Sequence, residues 1–315
     1  MSGAHGRPRK GKYLRWAWRI VAAFLLLVVA AAFGFWEWPI RYFDALLHLE
    51  MRIEGAHSQW VAVDGYSVHY FVEGPANGTA VVLVHGLGAR AEDWHKLAPY
   101  LAKAGDRVYM PDLIGYGQST KPTDFSYSVR AEAAIVIGFM NALGLQRVDL
   151  GGWSMGGWVA QIVAAQVPQR IDKLMLFDSA GLRDRPAWNT SLFTPTTPAQ
   201  LSQLNALLRP KPPPIPGFVA RAVLRLSRSN AWIIQRAMTT MLSGRDVTND
   251  MLPLFKMPIL LVWGADDRCI PPAEGRQMHA LMPQSTLHLV PACGHLAPLD
   301  CAGKMAPQVT AFLDR

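Results

Sequence analysis

Gly152-Trp153-Ser154-Met155-Gly156 is where residue types and spacing in this chain point most directly to chemistry. A G-x-S-x-G run between a β-rich stretch (VDLGGWS) and a helical one (MGGWVAQIVAAQVP) forces a sharp turn with the serine in a strained conformation. Glycine at the flanking positions lets the neighbouring backbones approach, and the Ser154 hydroxyl is lifted, exposed, to a helix N-terminus. Alone, such a run can also be a glycine-rich βα turn that closes a packing gap. The context argues for a nucleophile: the strand-turn-helix setting is met, candidate acid and base residues follow in the order serine, acid, histidine, and a glycine-containing segment, His85-Gly86-Leu87-Gly88, lies upstream.

The elements that must position these groups are readable from periodicity. WVAVDG and SVHYFVEG predict a hairpin turning at Asp64-Gly65, and AVVLVHG predicts a buried strand ending at His85. Helices and strands then alternate: AEDWHKLAPYLAKAG, RVYMPDL, VRAEAAIVIGFMNALG, VDLGGWS, MGGWVAQIVAAQVP, IDKLMLFDSA, and later PILLVWGADD, EGRQMHALM, STLHLVPACGH and APQVTAFLD. This alternation predicts a mostly parallel sheet with helices on both faces. Residues 182–256 break the rhythm with Pro195, Pro198, Pro210, Pro212, Pro213, Pro214 and Pro216, followed by a helical stretch from Phe218 to about Met241. An insertion of that size is expected to cap the carboxyl ends of the strands, where open α/β sheets bind ligands.

From about residue 59 to the C-terminus the chain resembles the α/β-hydrolase superfamily, which implies an eight-stranded, mostly parallel sheet with a helical cap insertion. The resemblance implies an oxyanion hole from the backbone N–H groups of Leu87 and Met155, with Gly86 and Trp153 as substrate contacts beside the nucleophile. It implies a general base on the loop after the last strand, where His295 stands; His288, inside an alternating strand, and His279, on a surface helix, suit structural roles, as does His85. The orienting acid is expected at Asp267 within Gly264-Ala265-Asp266-Asp267, with Asp266 and Asp178 as alternatives. A serine nucleophile implies acyl transfer and hydrolysis of lipid-derived or other apolar acyl esters. Membrane-anchored monoacylglycerol lipases are similar in their GxSMGG elbow, their AGL segment (Ala180-Gly181-Leu182) and a Thr-Pro-containing cap start near Thr194 to Gln203. Carbon-carbon bond hydrolysis of ring-cleavage products, with the same triad, and a non-catalytic binding module are the alternatives. No cofactor is expected.

With 315 residues, half of them apolar and 17% charged, the chain has room for one large domain and is not a disordered scaffold. The net charge of +8 resides in residues 1–19 and 183–256, and the remainder nets to about −5, so no basic stripe crosses a compact domain and nucleic acid is not an expected partner. After the basic residues 1–19, residues 20–38 read as a transmembrane signal-anchor, since Trp16 to Trp38 would span roughly 33 Å. Residues 39–58 form a linker or short amphipathic helix, and 59–315 the catalytic domain. The expected topology has a cytoplasmic N-terminus and an exoplasmic domain; a signal cleaved at Ala30-Ala31-Ala32, giving a secreted protein, is the alternative. Arg221, Arg225 and Arg228 share one face of the cap helix, suiting either an anionic bilayer or plain solvation. The three cysteines have no CxxC spacing, so no metal site is expected; Cys269 and Cys293, flanking Asp267 and His295, read as small buried side chains, with a disulfide between them as the other possibility.

Overall fold

Strands that read as continuous apolar runs assemble into the middle of one sheet, because only a strand covered on both faces can bury every side chain. The computed structural model describes residues 10–183 and 186–314; Arg7 and Arg9 of the basic cluster, and Asp184 and Arg185 of the cap, lie outside them. The strands are β1 (His57–Val63), β2 (Tyr66–Glu73), β3 (Ala80–Val84), β4 (Arg107–Pro111), β5 (Val148–Trp153), β6 (Ile171–Phe177), β7 (Ile259–Gly264) and β8 (Thr286–Val290). They lie in the order β1-β2-β4-β3-β5-β6-β7-β8. The β1-β2 hairpin turns at Asp64-Gly65, both at positive φ, as a two-residue loop of this kind requires. β2 runs antiparallel to β1 and β4, and all remaining pairs are parallel. Every residue of β5 and β7 is buried.

The helices are α1 (Lys10–Glu37), α2 (Pro39–Glu54), α3 (Ala98–Ala104), α4 (Val129–Ala142), α5 (Met155–Gln166), α6 (Pro198–Leu208), α7 (Gly217–Leu242), α8 (Pro272–Leu281), α9 (Ala297–Asp300) and α10 (Ala302–Leu313). Side chains from α4, α5 and α8 fill the core on one face of the sheet, and those from α2, α3 and α10 fill it on the other. The helix expected over AEDWHKLAPYLAKAG is split into a 3-10 turn, Ala91–Trp94, and α3. Pro99 belongs to the first turn of α3, and Asp93 folds back to accept the Arg90 N–H at 3.0 Å, closing the first turn early.

Strand order reverses around β3: the chain crosses from β3 through α3 to β4 on one side, then through α4 to β5 on the other. The loops after β3 and β5 therefore diverge and leave a crevice at the carboxyl ends of the strands. The insertion roofs it. α6 starts with a capping box, Thr197 accepting the Gln200 N–H, and α7 buries Ile233 and Ala237 against the main core.

Candidate active site

Ser154 follows β5 directly and takes the N-cap position of α5 with φ 57° and ψ −121°, a conformation rare for a residue with a side chain. The strain persists because the surroundings determine it. The Ser154 N–H donates to the Phe177 carbonyl of β6 at 2.9 Å, and a Cβ at Gly152 or Gly156 would run into the backbone of Gly156 or of Val84 and His85. A serine at an N-cap normally uses its hydroxyl to cap the helix, a contribution of about 1 kcal/mol. Ser154 makes no cap bond; its Oγ lies 2.9 Å from His295 Nε2.

The imidazole is fixed at both nitrogens and through its backbone. His295 Nδ1 lies 2.8 Å from Asp267 Oδ2, which assigns its proton to Nδ1 and leaves Nε2 to accept from the serine. The His295 N–H donates to the Leu208 carbonyl at the end of α6 (3.0 Å), and its carbonyl accepts the Trp153 indole N–H (2.7 Å). The second oxygen of Asp267 accepts the N–H groups of Cys269 (2.7 Å) and Ile270 (3.0 Å). The β7 and β8 loops are joined where Asp266 N–H donates to the Cys293 carbonyl at 2.8 Å. Burial pulls the His295 pKa down, but the Asp267 carboxylate and, after it, Cys269 together outweigh burial and hold the ring well above the usual imidazole range.

Of the two alternative acids, Asp266 is exposed to solvent, and Asp178 is buried with one carboxyl oxygen accepting the Gly264 N–H at 2.7 Å. Burial first, and the negative charge of Asp267 second, push the Asp178 pKa well up, which disfavours a second carboxylate charge behind the His295–Asp267 pair. His85 is buried, bonded through Nδ1 to the Gly86 carbonyl (2.8 Å) and through Nε2 to the Leu113 N–H (3.0 Å), and burial lowers its pKa. His279 is held by Ser285 at 2.8 Å.

A model of the alpha/beta hydrolase fold family matches residues 79–301. The chain belongs to the α/β-hydrolase family. A 2-hydroxy-6-oxononadienedioate/2-hydroxy-6-oxononatrienedioate hydrolase of Burkholderia vietnamiensis is 30% identical over 297 residues, covering 86% of this chain and 99% of that protein. Lipase 1 of Psychrobacter immobilis is 26% identical over 266 residues, covering 79% of this chain and 81% of the lipase. The crystal structure of a bacterial membrane phospholipase A superposes with a TM-score of 0.81 at 27% identity, covering 94% of this chain and 98% of that one.

Within this α/β-hydrolase frame a cavity of about 230 Å³ opens beside Ser154. Leu87, Trp158, Leu182, Trp188, Phe193, Met238, Met241 and Ile270 give it an apolar wall, and Arg183 and Glu274 are its charged members. The indole N–H groups of Trp158 and Trp188 are satisfied by the carbonyls of Asp246 (2.6 Å) and Cys269 (2.8 Å), leaving their rings as apolar wall. These residues come from the cap, from several loops and, for Trp158, from α5, and apart from Leu87 and Leu182 no spacing in the sequence signals them. Two expectations are corrected. Trp153 does not line the cavity; it is buried behind His295 and acts on the loop. Cys293, expected as a small buried thiol, is bonded to Cys301, because β8 and the short α9 bring residues 293 and 301 together, while Cys269 is free and buried. Gly86 backs the nucleophile, a Cβ there falling 3.1 Å from Ser154 Cβ. Leu87 N–H has no acceptor among the described residues, and Met155 N–H opens α5, where no intrahelical acceptor exists. Among the described residues no cluster suits a metal ion.

Proposed function

We propose that this chain is a serine ester hydrolase acting on lipid-derived or other apolar acyl esters, held at a membrane by α1. The observation that carries the reading is the continuous hydrogen-bond chain Ser154–His295–Asp267 ending in an apolar cavity. His295 Nε2 takes the Ser154 proton as Oγ attacks the ester carbonyl, and the Asp267 carboxylate stabilises the imidazolium that forms. The N–H groups of Leu87 and Met155 are the donors for the oxyanion, assisted by the positive end of α5. The tetrahedral adduct collapses when the imidazolium protonates the leaving alkoxide. Water, deprotonated by the same histidine, then releases the acid from the acyl-enzyme.

A second reading, carbon-carbon bond hydrolysis, is favoured by the Burkholderia relative. Its substrates, by their names, are dicarboxylates, and a site for two carboxylates calls for cationic partners. The wall here is apolar with one arginine and one glutamate, which favours the ester. Product analysis on monoacylglycerol or nitrophenyl esters against a dienoic diketo acid separates the two.

The anchor reading rests on a 23-residue stretch, Arg15–Glu37, long and apolar enough to cross a bilayer and almost wholly exposed. A cytoplasmic N-terminus with an exoplasmic catalytic domain is the topology we favour, on the basic residues before the span. A fluorophosphonate is expected to label the full chain in membranes and to leave Ser154→Ala unlabelled at that site; labelling that persists at residues other than 154 with ester turnover intact in Ser154→Ala overturns the proposal.

A further inference from the structure

The helix that follows the span is apolar on two opposite sides. Leu47 and Met51 of α2 are buried in the core of the catalytic domain, and its polar side chains on that side are also engaged: Asp44 with Arg90 at 2.5 Å, and His48 with Glu92 at 2.8 Å. On the outer side Tyr42, Leu46, Leu49 and Ile53 follow one another at intervals of four, three and four residues, which is one narrow stripe of a helix. Leu46 is 68%, Leu49 54% and Ile53 77% exposed, and Phe43 beside them 60%. A helix on the surface of a water-soluble domain carries polar residues there.

The direction in which that stripe faces is fixed by Tyr42. Its hydroxyl donates to the Ala31 carbonyl at 3.4 Å, and its ring meets Phe35 edge-on at 5.9 Å. In a straight helix residues 31 and 42 would lie about 16 Å apart along the axis. The contact therefore requires the chain to bend between α1 and α2, and Pro39 in the first turn of α2, after Trp38 at φ −128° and ψ 53°, is where the helical pattern breaks. The stripe that contains Tyr42 is thus the side of α2 turned toward α1. Arg41 and Arg52, both exposed, border it on one flank; on the other, Glu50 is neutralised by Lys96 at 2.8 Å.

We infer that α2 lies along the bilayer surface with Leu46, Leu49 and Ile53 dipping among the acyl chains, so that the catalytic domain rests on the lipid rather than hanging from the span. This rests on the reading of α1 as an anchor. Lipid is the occupant because the stripe continues from the apolar span and faces the same side, with arginine stems placed to reach headgroups. The same helix grips Arg90 and Glu92, just after His85-Gly86-Leu87-Gly88, so a bilayer contact is connected through the Asp44–Arg90 ion pair and the His48–Glu92 hydrogen bond to the segment that carries the Leu87 N–H.

The test uses the full chain in phosphatidylcholine–phosphatidylglycerol vesicles, with single cysteines labelled by a nitrobenzoxadiazole dye at Leu46→Cys, at Leu26→Cys in the span and at Gln146→Cys far from α2. The native thiols do not compete, since Cys269 is buried and the others are paired. With a nitroxide placed high on the acyl chain of the lipid, the dye at 46 is expected to lose most of its emission and shift to the blue, while the dye at 146 does neither. Quenching at 26 with none at 46 overturns the inference and leaves the anchor standing. No quenching at 26 overturns both. An oxidative crosslink between two copies at position 46, with the dye at 46 unquenched, overturns it in favour of a second copy on that face. Each position is exposed, and turnover of a short soluble ester checks that the variants are folded.

Discussion

At the scale of single residues the site depends on one protonation state. In the proposed mechanism His295 accepts the serine proton only when neutral, and its pKa is set by opposed effects: burial lowers it, and the Asp267 carboxylate together with Cys269 raises it further than burial lowers it. The acid limb of kcat/KM is therefore expected above the ordinary imidazole value of about 6.5. Activity rises with pH through that limb, since protonated His295 cannot act as a base. Asp267→Asn should lower kcat by roughly 10,000-fold, as loss of the orienting carboxylate does in a triad of this kind. A pH series of kcat/KM for the two proteins measures both; a limb below 6 in the unmodified chain contradicts the argument. A second trio shows that hydrogen bonds alone do not make a site. Ser58 Oγ lies 2.9 Å from His69 Nε2, and His69 Nδ1 lies 2.7 Å from Asp112 Oδ2, the distances found at Ser154 to within 0.1 Å. Ser58, however, stands on the edge strand β1, with neither a glycine-framed bend nor a helix N-terminus beneath it. Ser58→Ala is expected to leave kcat/KM for an ester unchanged, where Ser154→Ala abolishes it.

Among the elements, the loop after β8 is the one whose fixation matters most. Cys293 precedes His295 by two residues and is bonded to Cys301 across a separation of eight, which in the chain-entropy account stabilises the folded state by roughly 2.5 kcal/mol. Cys301→Ser is expected to lower the unfolding free energy by about 2 kcal/mol in a urea titration. It should also lower kcat more than it raises KM, because the loop places the base and not the cavity wall. An unchanged midpoint in urea contradicts this. The strands and the bend at Ser154 were legible in the sequence because each leaves a local mark, a run of β-branched residues or a glycine pair, whereas Asp267 and His295 were expected only from the resemblance to the family, which implies an acid and a histidine just past particular strands. What was not legible depends on long-range placement. Nothing local distinguishes Cys301 from Cys269 as the partner of Cys293, and nothing near Trp153 says that its indole turns back to a carbonyl 142 residues later. The arginines of α7 illustrate the same limit. The spacing of Arg221, Arg225 and Arg228 put them on one face, as found, but not that Arg221 would stack over Trp36 at 5.5 Å and Arg225 bond to the Glu37 carbonyl, holding the end of α1 against the cap.

For the molecule as a whole, several buried carboxyl groups give stability an unusual pH dependence. Burial, aided by the neighbouring Glu54, pushes Glu73 at the end of β2 up to about 7. Burial likewise pushes Asp93 and Asp149 up to about 6, and Glu132 well above the carboxylate range. In the unfolded chain these groups ionise near 4. Between that value and the folded one the native state binds more protons than the unfolded state, so stability falls as pH rises. His295 adds to this, since its raised pKa contributes stability at low pH that is lost as pH rises through the folded value. The buried neutral His85 opposes it, because the unfolded imidazole takes up a proton below about 6.5 that the folded one resists. The raised carboxyls, Asp106 and Asp178 among them, together with His295 outnumber the depressed histidines His85 and His95, which gives the expected sign: the Tm should decline from about pH 5 to pH 8. Glu73→Gln tests the contribution of one such carboxyl, because the amide keeps the shape and removes the titration. Its Tm should exceed the parent's by more at pH 8 than at pH 5, so that the decline between is shallower, whereas a parent Tm that climbs over this range would place the governing groups elsewhere.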